Sequence, residues 1–244
     1  MPGWTISWPD TDESDAKPKV DPSHVGLGFV DVLFALVVGQ ILAPLSEWSK
    51  ISQVGWTHLG VGLVLTLTSW IGYHSSRNGP RFQIRFPNLP LLTFALDVLM
   101  VIAYSLTVTT ADLGLGKHQA ITALPEALLV TVSFLLYVAW DAANQRINAS
   151  SAYETAYKTA VKKKVLLEDQ WPTTPHDKAK SRRRRVVTLV FLPLVSAVLL
   201  VDLLVQIGGT VTTAWVMGID CALIVLLILF RIFKERPLEI KPDA

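Results

Sequence analysis

The sequence predicts an all-α polytopic membrane protein with six transmembrane helices and both termini in the cytoplasm. Three observations carry this. Charged residues make up only 17% of the 244 residues, against about 25% in a soluble domain. The charges cluster, leaving six apolar stretches, each long enough for the roughly 20-residue helix that crosses a hydrocarbon core of about 30 Å. The lysines and arginines fall almost wholly on one side of those stretches.

In order, the spans are expected at about 26–45, 56–73, 91–109, 121–142, 186–207 and 211–233. The chain thus divides into a mobile cytoplasmic tail (1–25), spans one to four (26–143), a basic, partly helical cytoplasmic loop (144–185), spans five and six (186–233) and a short cytoplasmic tail (234–244). The opening segment carries Asp10, Asp12, Glu13 and Asp15 before any apolar run. It therefore does not read as a secretory leader, which needs a basic start. Each span must be helical, because the bilayer core offers no water to open backbone groups. A β-barrel would need segments of about ten alternating residues, and the run at 222–230 does not alternate.

Orientation follows from charge. Twenty of the 22 basic residues lie in the two tails and in the loops after spans two and four, leaving Lys50 and Lys117 for the other side. The basic side is expected in the cytoplasm. Trp48, Trp56 and Trp215 then fall near the outer interface, and Trp70, Tyr73 and Trp140 near the inner one, where amphipathic rings are favoured.

The long loop holds one helix signal, the capping box Ser151-Ala152-Tyr153-Glu154. It predicts a helix to about Glu168, ended by Trp171-Pro172 and Thr174-Pro175. Arg182, Arg183, Arg184 and Arg185 precede span five. They read either as a topology anchor or as a contact for anionic lipid headgroups or a partner.

Functional signal lies in the acids inside the spans, which are costly there and normally face protein or a wet cavity. Asp31 and Asp97 sit near the cytoplasmic ends of spans one and three. Asp202 sits near the outer end of span five, and Asp220 about a third of the way into span six. The spans are expected to offer these acids no Lys or Arg, Arg231 being counted with the C-terminal tail. His74 is the expected partner of Asp31 or Asp97. Asp31, Asp97 and Asp220 read as a cation or proton path or as ties within the bundle. Asp202 and Asp141, near interfaces, read as ties. Thr66, Thr68, Ser69, Ser133 and Ser196 are expected to bond between helices, and Gly39, Gly60, Gly62 and Gly218 to admit close helix approach. Pro193 is expected to kink span five.

Soluble chemistry has no support. There is no glycine-rich phosphate loop, HExxH or nucleophile elbow, and the five histidines are scattered. The single cysteine, Cys221, excludes an intrachain disulfide. No enzyme activity, cofactor, metal or nucleic-acid partner is expected.

The first span reads Gly28-Phe29-Val30-Asp31-Val32-Leu33-Phe34-Ala35-Leu36, and the second ends Ser69-Trp70-Ile71-Gly72-Tyr73-His74. These resemble the Phe-Ser-Asp first helix, and the second helix closing on tryptophan and histidine, of the transmembrane-protein-175 family of lysosomal and bacterial potassium channels. The resemblance implies six spans, cytoplasmic termini and a homo-oligomer around pore-lining first helices. It further implies that Asp31, Trp70 and His74 form a polar network behind the pore, with Phe29 part of the motif, Leu36 at the constriction and Gln40 one turn on. Three positions depart from the pattern: Val25 stands for the family's arginine, Val30 for its serine and Gly39 for a pore threonine.

Three functional readings follow. The first is a monovalent-cation (potassium-like) channel subunit in a bacterial plasma membrane. The second is a non-conducting scaffold that binds a partner through its basic loop. The third is a small proton-coupled transporter using Asp31, Asp97 and Asp220. Transporters of that kind often carry internal repeats, and 26–110 does not resemble 121–233.

Overall fold

The computed structural model describes residues 22–76, 89–113, 122–148 and 175–235. Among these residues it contains no strand and six long helices: α1 (Pro22–Leu42), α2 (Gln53–Ser76), α3 (Leu89–Leu113), α4 (Leu124–Asn148), α5 (Pro175–Ile207) and α6 (Thr213–Glu235). All six are long and apolar enough to cross a membrane. The capping-box helix expected after Ser151 lies outside the described residues.

Local chemistry sets the ends. Pro44 lacks an N–H and its ring crowds the carbonyl one turn back, so α1 stops at Leu42. The chain tightens into a 3-10 segment, Ala43–Lys50. Ser52 caps α2, its hydroxyl accepting from the Gly55 N–H at 3.0 Å. Thr212 caps α6 in the same way, through the Trp215 N–H at 3.2 Å. Thr122 accepts from the Leu124 N–H at 3.2 Å, and Pro125 occupies the first turn of α4, where no N–H is needed. Between α5 and α6, Gly209 takes the left-handed conformation (φ 68°). Its N–H donates to the Gln206 carbonyl, and that of Thr210 to Val205. This is a Schellman closure, and it makes α5 and α6 a tight hairpin.

One element differs from expectation. Helix α5 begins at Pro175, so Arg182–Arg185 lie inside a 33-residue helix and not in a loop before a span. Pro193 lies inside this helix.

Helices α2, α3, α4, α5 and α6 contact one another in sequence, and α6 closes back on α2. The result is a five-helix bundle. Helix α1 lies outside it, against α2 and α3. The middle of the bundle is apolar, with Val61, Leu65, Val130, Phe134, Leu223 and Leu227 buried together. Burying side chains of this kind contributes about 1.5–3 kcal/mol each in water. In lipid that drive is absent, and close packing takes its place.

Gly62 shows how tight the packing is. A Cβ there would stand 2.9 Å from Val108 Cγ2 on α3. At Gly60 it would meet Ile224 on α6 at 3.2 Å. Gly39 and Gly218 face nothing within 4 Å, so within one chain they admit no close neighbour. Gly62→Ala is therefore expected to cost about 1–3 kcal/mol through overpacking, and Gly39→Ala to leave the subunit fold unchanged. Thermal unfolding in detergent separates them.

The hydroxyls expected to join helices mostly do not. Thr66, Thr68 and Ser133 donate to carbonyls one turn back in their own helices. That satisfies the group without any neighbour.

Candidate functional site

Polar groups at membrane depth gather in three places. The first is the surface of α1 and α2. Asp31 Oδ1 lies 3.0 Å from His74 Nε2 and accepts from Trp70 Nε1 at 3.4 Å. One turn separates Trp70 from His74 on α2, so both reach the same carboxylate. All three are 39–47% exposed. Of the two acids offered to His74, the structure selects Asp31. Further along α1, Gln40 accepts from Ser105 at 2.8 Å. Leu36 is 61% exposed, and Phe29 lies beside Phe94 with ring centroids 5.9 Å apart.

The second place is the end of the bundle that carries the arginines. Asp97 is buried on the wall of a cavity with about 30 Å³ of room for water centres, space for one or two molecules. Ser69, Tyr104, Tyr137, Arg231 and Lys234 share the lining. Tyr104 donates to Tyr137 at 3.1 Å, and Tyr137 donates to Ser69. Arg231 and Lys234, both counted with the C-terminal tail in the sequence, thus reach the cavity that Asp97 lines. Lys234 is buried, 3.4 Å from Asp141, and both approach the Thr188 hydroxyl, at 3.2 and 2.8 Å. The Lys234 ammonium also lies over the rings of Tyr137 and Phe230, about 5 Å from each centroid. Arg231 pairs with Glu235 at 2.9 Å. Its guanidinium crosses α2 at Gly72, where a Cβ would collide with Nη1.

The arginine cluster is tied to the fold. Arg183 donates to the Phe233 carbonyl at 3.2 Å, Arg184 pairs with Glu235 at 3.1 Å, and Arg185 donates to Gln145 at 2.9 Å. Arg182 is exposed.

The third place is the opposite end of the bundle. Helices α2, α4 and α6 run parallel, so their N-terminal turns meet there. They bring together His58, Glu126 and Asp220, all buried. His58 Nδ1 is 3.1 Å from Glu126 Oε1, and Nε2 is 3.2 Å from Asp220 Oδ2. Thr57 Oγ1 is 2.6 Å from the same Asp220 oxygen. Asp202 stands nearby as a tie, accepting from Trp215 Nε1 at 3.0 Å and Gln206 Nε2 at 2.8 Å.

Asp31, Trp70 and His74 thus meet, while Asp97 and Asp220 lie in separate clusters at opposite ends of the bundle. Glu126 and the pairing of His58 were missed from the sequence. Each sits near the start of its span, where it reads as an interfacial group. The available signal was level: residues early in spans two, four and six must share one membrane depth. Among the described residues no group of three His, Cys, Asp or Glu is placed to hold a metal ion. No family model, curated protein or solved structure matches this chain. What is established is an integral membrane architecture of six apolar helices.

Proposed function

We propose that the chain is the subunit of a homo-oligomeric channel for monovalent cations in a bacterial plasma membrane, with α1 of each copy lining the pore. The observation that carries it is the exposed face of α1. On α5 the outward face is apolar throughout its membrane depth: Leu189, Val190, Leu194, Leu200, Leu203 and Leu204 are exposed there, as lipid contact requires. On α1 the outward face mixes Val32 and Leu36 with Asp31 and Gln40. Polar side chains inside a span belong against protein or water: an acid costs about 2.5–3.5 kcal/mol at the helix centre on insertion scales, and less toward the end where Asp31 lies.

Three further features support the reading. Ala35 and Gly39 on that face, and Ala43 at the start of the 3-10 segment that follows, recur every fourth residue and are all exposed. Small residues at this spacing let neighbouring helices come close. Among the described residues, helix α1 is also the one long helix outside the five-helix bundle, so it is free to pack on other copies. The Asp31–Trp70–His74 contacts join α1 to α2, and we read them as the brace behind the pore helix that the resemblance implies. In the assembly Leu36 is the apolar constriction and Asp31 raises cation concentration at one mouth.

Reconstitution into liposomes tests this. Folded, monodisperse protein is expected to pass K⁺ faster than protein-free liposomes. Flux equal to that of empty liposomes overturns the proposal.

A further inference from the structure

The cluster at the far end of the bundle has no part in a pore lined by α1. His58, Glu126, Asp202 and Asp220 bring three carboxylates and one imidazole into a buried space. The charges facing it come from α2 (His58), α4 (Glu126), α5 (Asp202) and α6 (Asp220). The described side chains of α1 and α3 add none at this end, since their acids, Asp31 and Asp97, lie toward the arginine end. Lys50, the described lysine nearest this end in sequence, is exposed and pairs with Glu47. With every group in its ordinary ionised form, and His58 as imidazolium, the cluster would hold a net charge of about −2 in low dielectric, where uncompensated charge is costly.

The hydrogen bonds show where that excess is relieved. Glu126 lies in the first turn of α4, where the helix dipole favours a carboxylate, and it meets His58 Nδ1. Asp202 accepts two N–H donors. Asp220 is different. Its close contact is to the Thr57 hydroxyl, at 2.6 Å, yet Thr57 Oγ1 also lies 2.9 Å from the Val54 carbonyl. One hydroxyl has one proton to donate. If Thr57 donates to Val54, the hydrogen between Thr57 and Asp220 must come from Asp220. The aligned chain is then Asp220 O–H to Thr57, and Thr57 O–H to Val54. His58 Nε2, although 3.2 Å from Asp220, is not aligned to donate to it. Asp220 Oδ1 and Glu126 Oε2 are buried without a hydrogen-bond partner.

We propose that this cluster is a proton-binding site, with Asp220 the group that gains and loses the proton. Of the three groups His58 is the least buried, at 6% exposure, and it bridges the other two. Uptake converts the Asp220 carboxylate to the acid, and release returns the proton to water at that end. The site joins α2, α4 and α6, so its occupancy acts on the five-helix bundle and is independent of whether α1 lines a pore.

Infrared difference spectroscopy on the full chain in lipid nanodiscs, between alkaline and acidic buffer, tests it. The wild type is expected to gain a carboxylic acid C=O band characteristic of a buried group. D220N is expected to lose that band, and E47Q, an exposed acid changed for comparison, to keep it. T57V removes the hydroxyl that accepts from the acid, so the band is expected to move to higher frequency. No buried-acid band in the wild type, or one that survives in folded D220N, overturns the assignment. If D220N does not fold, T57V decides, because an unmoved band there overturns it equally. Suppression of the band by NaCl but not by equal choline chloride would assign the site to a metal cation and overturn the proton reading.

Discussion

Replacing Asp141 with leucine is expected to destabilise the protein by about 3 kcal/mol, because it strands Lys234 without its carboxylate in a buried site. Lys234 and Asp141 are 3.4 Å apart, with side chains only 6% and 9% exposed. The pair is completed by the Thr188 hydroxyl and by the faces of Tyr137 and Phe230. These rings offset part of the loss, by up to about 2 kcal/mol for a desolvated cation. Removing both charges tells a different story. The double variant D141L/K234M replaces a costly pair with apolar side chains of similar size, and such swaps are often neutral or better. It is expected to unfold within about 1 kcal/mol of wild type. Thermal or denaturant unfolding in one detergent reads all three proteins. A double variant as damaged as D141L would show that the pair contributes something other than mutual neutralisation.

The second large effect concerns conduction. Leu36→Ala is expected to raise K⁺ flux on the order of tenfold, equivalent to about 1.4 kcal/mol off the barrier. Leucine rings of this kind exclude water from a narrow pore, and alanine widens and wets the gap. Leu200→Ala changes an equally exposed leucine on the apolar face of α5 and is expected to leave flux unchanged. Equal flux in both variants and wild type would remove Leu36 from the pathway.

The six spans were legible because hydropathy and length decide them almost alone. The missed features depend on where side chains reach. Lys234 follows the end of the expected sixth span, yet its long stem carries the ammonium back between α4, α5 and α6, as snorkelling side chains do in the opposite sense. Nothing in a one-dimensional reading separates it from Arg182, which is exposed. Helix α5 begins at Pro175, earlier than hydropathy indicates, because arginine and lysine are good helix formers and a helix continues into the polar layer while its apolar count falls. That His74 meets Asp31 or Asp97 was legible because all three lie at one level of the spans; level alone did not choose between the acids, and Trp70 entered only through the resemblance. The His58–Glu126–Asp220 cluster needed the further fact that α2, α4 and α6 are neighbours, which no single helix records.

In the proposed channel α1 faces α1 of other copies. Cysteine cross-linking in native membranes reads that contact. Cys221, the single native cysteine, is exposed on α6 and must first be changed to alanine. A cysteine is then placed at Gly39 on α1 or, for comparison, at Leu200 on α5. A disulfide forms only where two Cα atoms come within about 7 Å. Mild oxidation is expected to link the Gly39→Cys protein into covalent dimers and to leave the Leu200→Cys protein monomeric. A Gly39→Cys protein that stays monomeric, with its thiol open to a lipid-soluble maleimide, would place α1 against lipid and rule out a pore lined by α1.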